Sequence, residues 1–165
     1  MRVVGVGWGD APWPAKVRRP SWCTRRIDVP GSPAQLATVR RWVHGFLKLD
    51  KVAAETAEVV VLLASELVAN AVAHSCSRDG EVTVLLNLDF TRGRVRLDVI
   101  DDGPAVPVEV GSRGVEHEHG RGLLLVEELS DRWGCYADEH GTGVWFELAM
   151  HDQGRCPVAV HDECG

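Results

Sequence analysis

Between Val52 and Ser75 the chain has no lysine and no arginine. A helix face in water ordinarily mixes both signs of charge, so the polar residues of this stretch need another account. Basic residues are also short overall: 18 Lys and Arg stand against 24 Asp and Glu, a formal charge of −6. The arginine pairs at 18–19, 25–26 and 40–41 are scattered, and an acidic chain without a basic stripe is not expected to bind nucleic acid. No uninterrupted apolar run approaches the roughly 20 residues that cross a bilayer. The N-terminal stretch has Gly, Pro and Trp but no apolar core of a signal peptide, so a cytoplasmic protein without membrane contact is expected. No CxxC pair occurs. The five cysteines, at 23, 76, 135, 156 and 164, read as free thiols in a reducing compartment, with a Cys156–Cys164 bridge left open.

What is present suits one domain: 165 residues, 45% of them apolar, are enough to bury a core. Residues 1–22 are rich in Gly, Pro and Trp and lack periodicity, so they read as a tail, as do residues 151–165; the domain spans 23–150. Residues 24–29 alternate as a short edge strand. Ser32, Pro33 and Gln35 then combine an N-cap, a first-position proline and a capping box. Leu36, Val39, Val43, Phe46 and Leu47 repeat at helical spacing. A second helix, capped by Asp50, runs to about His74 on a stripe from Ala57 to Val72. Strands over 81–89 and 94–101 flank a Thr91-Arg92-Gly93 turn. Residues 102–119 lose all pattern, and loops of such length inside a domain are often functional. A short apolar helix over 123–129 and strands over 132–137 and 142–150 complete the series.

Three features carry chemistry. Glu66, Asn70 and His74 lie four apart, hence on one ridge of the second helix. Asp101 continues the inward parity of Val95, Leu97 and Val99, and a carboxylate facing the core is costly without a partner. Gly120-Arg121-Gly122 stands directly before a helix, where unpaired N–H groups and the dipole favour an anion. Each has an ordinary reading taken alone: a solvated face, an Asp-Gly-Pro turn, a glycine turn. In a site, the Asn70 amide oxygen suits Mg²⁺, a hard ion, and Glu66 suits proton acceptance from a hydroxyl or water. His117-Glu118-His119, with His151 or Cys156, contains zinc-ligating types but no zinc spacing, and a polar loop tip is the simpler reading. His74 fits a helix-end histidine better than a ligand.

The order is more specific than any part: Glu-x-x-x-Asn on a helix, Asp-x-Gly at a strand end, Gly-x-Gly at a helix start, Gly-Thr entering the last strand. This resembles the gyrase and histidine-kinase-type (GHKL) ATP-binding fold over about residues 24–150. The runs Gly120 to Val126, Asp131-Arg132-Trp133-Gly134 and Val144 to Leu148 look like its small stand-alone actinobacterial members, which are similar to anti-sigma-factor serine kinases. The resemblance implies an α/β two-layer sandwich of Bergerat type, with a mixed, mostly antiparallel sheet of four or five strands and three helices on one face. It implies ATP and Mg²⁺ as cofactors. By it, Glu66 is the general base and Asn70 the Mg²⁺ ligand. Asp101 accepts from the adenine amino group, Gly103 lets the base lie on the backbone, and Thr142 supports Asp101. Gly120, Arg121, Gly122 and Leu123 meet the phosphates. Ala105 after Pro104 departs from the family's frequent second glycine, and the lid is short. With no His-containing dimerisation helix ahead of the domain, a two-component histidine kinase is not expected. The implied function is a serine protein kinase that binds a sigma factor and phosphorylates a small antagonist, with homodimerisation left open. A partner-sequestering module that holds ATP without kinase activity is the alternative, and a zinc or redox protein the third.

Overall fold

The computed structural model describes residues 2–4, 21–74, 80–101, 120–138 and 141–150. The loop 102–119 with Gly103, His117, Glu118 and His119 lies outside the described residues, as do Cys76, Cys156, Cys164 and both expected tails except 2–4 and 21–22. The strands are β1 (Arg2–Val4), β2 (Trp22–Pro30), β3 (Glu81–Asp89), β4 (Arg94–Asp101), β5 (Arg132–Asp138) and β6 (Gly141–Ala149). The helices are α1 (Leu36–Leu49), α2 (Ala54–His74) and α3 (Gly120–Leu129).

One six-stranded sheet runs β1-β2-β3-β4-β6-β5, and every pairing is antiparallel. The expected mixed sheet is therefore corrected in detail. β6 lies between β4 and β5, so these two strands, which run parallel to each other, never pair. The additional strand, β1, pairs Arg2–Val4 with residues 26–28 of β2, which places β2 one strand in from the edge.

Period-2 alternation makes the core. The registers Leu86↔Leu97 and Leu97↔Phe146 align three fully buried side chains in one inward row. Val39, Val43 and Leu47 of α1, Val60, Leu63, Leu67 and Val68 of α2, and Val126 of α3 close on that face as one cluster. At about 25 cal/mol per Å² of apolar surface, this burial is the main favourable contribution to folding. No uninterrupted apolar run of membrane length occurs, but the 20-residue stretch 54–73 of α2 is apolar enough to cross a membrane by length and composition alone. Glu55, Glu58 and Glu66 interrupt it in sequence, but the helix as a whole is long and apolar enough. Its role here is to carry the core stripe against the sheet.

Two capping expectations are also corrected. Ser32 does precede a helical turn with Pro33 first, but its side chain makes no cap hydrogen bond; Gln35 N–H donates to the Ser32 carbonyl instead, at 2.9 Å. Asp50 does not cap α2. It ends α1, its N–H donating to the Phe46 carbonyl at 2.9 Å. Lys51 follows in the left-handed region at φ 58°, which closes the helix end as such residues commonly do. The Asp50 carboxylate is taken by Arg25 of β2 at 2.7 Å, so tertiary pairing overrode the local capping preference.

Candidate functional site

α2 packs against α3 and against β4 and β6, and Glu66 and Asn70 of its polar ridge face α3 instead of open water. Glu66 and Asn70 are both half-buried. Gly122 explains why. A β-carbon placed on Gly122 would stand 3.0 Å from Asn70 Nδ2 and 3.1 Å from Glu66 Oε2. Contacts that short are tighter than nearly all real ones, so the backbone of α3 reaches both side chains only because residue 122 lacks a side chain.

The three residues Gly120, Arg121 and Gly122 belong to the first turn of α3, where the sequence reading had put them just ahead of a helix beginning near Leu123. The shift strengthens the local electrostatics, since first-turn N–H groups have no partner within the helix. Leu123 is partly buried against the core and pins that turn to the domain.

On the sheet, Asp101 pairs with Thr142 across β4 and β6, and with Val82 on its other side. Directly opposed residues share a face, so Asp101 and Thr142 stand together on the helix-covered side, in the rows of Val99 and Val144. Both are half-buried. The structure thus brings Glu66, Asn70 and Gly122 together from two helices, and pairs Asp101 with Thr142 at two strand ends on the helix-covered face. Gly103 lies outside the described residues. His74 is the last residue of α2. Among the described residues no group of three His, Cys, Asp or Glu could hold a metal ion.

The open side of the sheet holds residues that the sequence did not single out. A cavity of about 410 Å³ is lined there by Trp22, Asn87, Arg92, Arg94, Arg96 and Arg132, among others. The available signal was Arg at alternate outward positions with no Lys, which an ordinary solvated strand face resembles.

An all-antiparallel sheet covered on one face by three helices, with a carboxylate and an amide on the central helix meeting a glycine-rich helix start, defines an ATPase-type α/β sandwich. Residues 29–148 match the family model of the histidine kinase-like ATPase domain, and the chain belongs to that family. The crystal structure of the RsbU and RsbW domains of Rv1364c from Mycobacterium tuberculosis is similar in fold, at a TM-score of 0.60 and 22% identity. The match covers 79% of this chain and 34% of that one. The histidine kinase domain of the blue-light activated histidine kinase EL346 from Erythrobacter litoralis matches at a TM-score of 0.48 and 22% identity, over 74% of this chain and 62% of that one. The chain thus spans about a third and three fifths of these two solved chains. No curated protein matches it. Membership of an ATPase family implies that the chain binds ATP.

Proposed function

We propose that this protein is an ATP-dependent serine protein kinase of the anti-sigma type, which binds a sigma factor and phosphorylates a small antagonist protein in the cytoplasm. The observation that carries the reading is the approach of Gly122 to Glu66 and Asn70. It juxtaposes a carboxylate, an amide and the N-terminal turn of a helix, the three groups that phosphoryl transfer needs for proton removal, cation binding and anion stabilisation. The family match supports the nucleotide, and the fold shared with an RsbW domain supports the class.

In this reading Asp101 and Thr142 hold the adenine end, and Gly103 lets the base lie against the backbone. Gly120, Arg121 and Gly122 bind the phosphates through the helix start, with Leu123 fixing that turn. The side chains present fit a magnesium ion: the Asn70 amide nitrogen faces α3, which leaves Oδ1 as the oxygen ligand. Bound there, Mg²⁺ would neutralise charge on the phosphates. Glu66 takes the proton of the serine hydroxyl, and the low-dielectric packing between α2 and α3 strengthens each of these interactions.

Titration calorimetry with ATP, with and without Mg²⁺, tests the site. Asp101→Asn is expected to weaken ATP at least tenfold, and an unchanged affinity would overturn the adenine assignment. Phosphate transfer from labelled ATP to a candidate antagonist, abolished in Glu66→Ala while ATP binding persists, would establish the kinase. Binding of ATP and a sigma factor without transfer by the unmodified protein would leave a partner-sequestering module.

A further inference from the structure

The outward rows of β2 to β6 carry five arginines, counting Arg92 at the turn: Arg26, Arg92, Arg94, Arg96 and Arg132, and no lysine. The lysines among the described residues, Lys48 and Lys51, lie at the end of α1. Solvated faces favour Lys and Glu, whereas surfaces that bind proteins are enriched in Arg, Trp and Tyr and depleted of Lys. The aromatic part is present as well. Trp22 is 66% exposed, Tyr136 lies across Gly143, and Trp145 lies across Gly134 with the Arg96 guanidinium 4.1 Å above its ring. Glycines opposite these rings let them lie flat on the sheet.

The cavity of about 410 Å³ sits at the β3–β4 turn end of this face. Its wall holds four guanidiniums against the carboxylates of Asp89 and Glu147, a local excess of positive charge in an acidic chain. Arg96 is committed, bound bidentately to Asp98 at 2.8 and 3.0 Å. The others are held loosely: Arg92 to Asp89 at 3.9 Å, Arg94 to Asp131 at 3.3 Å, and Arg132 to Glu147 at 3.8 Å. Each guanidinium has five N–H donors in a planar fork suited to carboxylates, and these contacts leave most of them for a visitor. Thr24 donates to Asn87 Oδ1 at 2.6 Å, and both residues line the same cavity.

We propose that this groove is a docking site for an acidic, extended segment of a partner protein. Its walls run from Trp22 on β2 to Arg132 on β5, four inter-strand steps or about 19 Å, the length of about six extended residues. That span and the aromatic surroundings suit a peptide with alternating carboxylates better than a single small oxyanion. The carboxylates interleaved among the arginines disfavour a continuous phosphate backbone. The proposal is independent of the nucleotide reading, because the groove lies on the opposite face of the sheet from Glu66, Asn70 and Gly122.

The test is fluorescence anisotropy on the full chain, with a labelled octapeptide of alternating Glu and Ala around a central Phe. The proposal expects saturable binding, absent for the Gln isostere and weakened at least tenfold by the double variant Arg92→Gln, Arg132→Gln. Both arginines are highly exposed, at 82% and 68% of the side chain, so the fold should survive, and an unchanged thermal melt checks that. Absence of binding, equal binding of the Gln isostere, or indifference to the double variant would overturn it. So would full competition by millimolar inorganic phosphate, which would mark a small-oxyanion site, or tighter binding of oligothymidylate. Sedimentation showing self-association that the double variant abolishes, without peptide binding, would assign the groove to a second copy of this chain and overturn the acidic-segment proposal.

Discussion

On the helix-covered face, at one end of β4, Asp101 stands beside Thr142, both half-buried. On the open face, toward the other end of the same strand, Arg96 stands beside Glu147, over the ring of Trp145. Arg96 and Asp101 lie five residues apart along β4, about 17 Å. Both regions hold polar groups, but the surroundings differ. Inside, polar atoms occupy positions whose parity belongs to the core, so each must be matched by a partner or a ligand. Outside, charges balance one another in a half-screened network, and each pair contributes little alone. A site that encloses its ligand is therefore the more sensitive to shape, and a surface that docks one is the more sensitive to charge.

Gly122→Ala tests that contrast most severely. On propensity alone the change favours α3 by about 1 kcal/mol. The added methyl, however, needs space held by Asn70 Nδ2 and Glu66 Oε2 at 3.0 and 3.1 Å, and both side chains must shift. The expected outcome is a stability within about 1 kcal/mol of the unmodified chain, with ATP affinity reduced tenfold or more. Gly122→Val should extend the loss to about a hundredfold, or 2.7 kcal/mol. Urea unfolding read beside ATP calorimetry separates the two quantities. An unchanged affinity would show that this end of α2 is packing alone.

On the open face the matching probe is Asp98→Asn. The Asp98 side chain is only 7% exposed and holds Arg96 by two hydrogen bonds. Hydrogen bonding to Asp98 keeps the Arg96 guanidinium firmly protonated, against the opposing effect of partial burial. The amide keeps the shape and removes the charge. Because Arg96 is about one-third exposed, screening reduces the effect, and a loss of about 1 kcal/mol is expected. Denaturation at neutral pH measures it. A loss above about 3 kcal/mol would instead place this pair among truly buried ion pairs.

The two regions were unequally legible in the sequence. Alternation placed β3 and β4 at their observed bounds, and the same alternation carried Asp101 to the inward face. Glu66 and Asn70 stood out because their stretch lacks cations. Their contact with Gly122 was beyond local pattern, since it joins two helices that lie about fifty residues apart in the sequence. β1 was missed because three residues are too few for a period-2 signal. Asp50 misled because Ser, Thr, Asn and Asp serve both at helix starts and in turns, and the deciding partner, Arg25, lies on another element. The open-face arginines were hidden for a different reason. Polar outward residues are what any half-covered antiparallel strand displays, and the absence of lysine becomes informative only once the rows are aligned.

The smallest expected effect concerns Cys23, which shares the inward row of Ile27 and Val29 on β2 and is partly buried against the core. Burial pushes its thiol above the ordinary value; the nearby Arg25 opposes this and Asp50 adds to it. The charged thiolate is thus disfavoured in the folded chain. In the unfolded chain the thiol ionises at its ordinary value, so Cys23 contributes stability that is full below that value. The contribution is lost as pH rises through the folded one. Unfolding measured across the alkaline range should therefore show a loss of stability that Cys23→Ser reduces, by less than about 1 kcal/mol. Alkylation reads the same environment kinetically. The exposed Cys135 should react with iodoacetamide before Cys23 at pH 8, as mass spectrometry of the peptides would report. Were Cys23 to react first, burial would not govern this thiol.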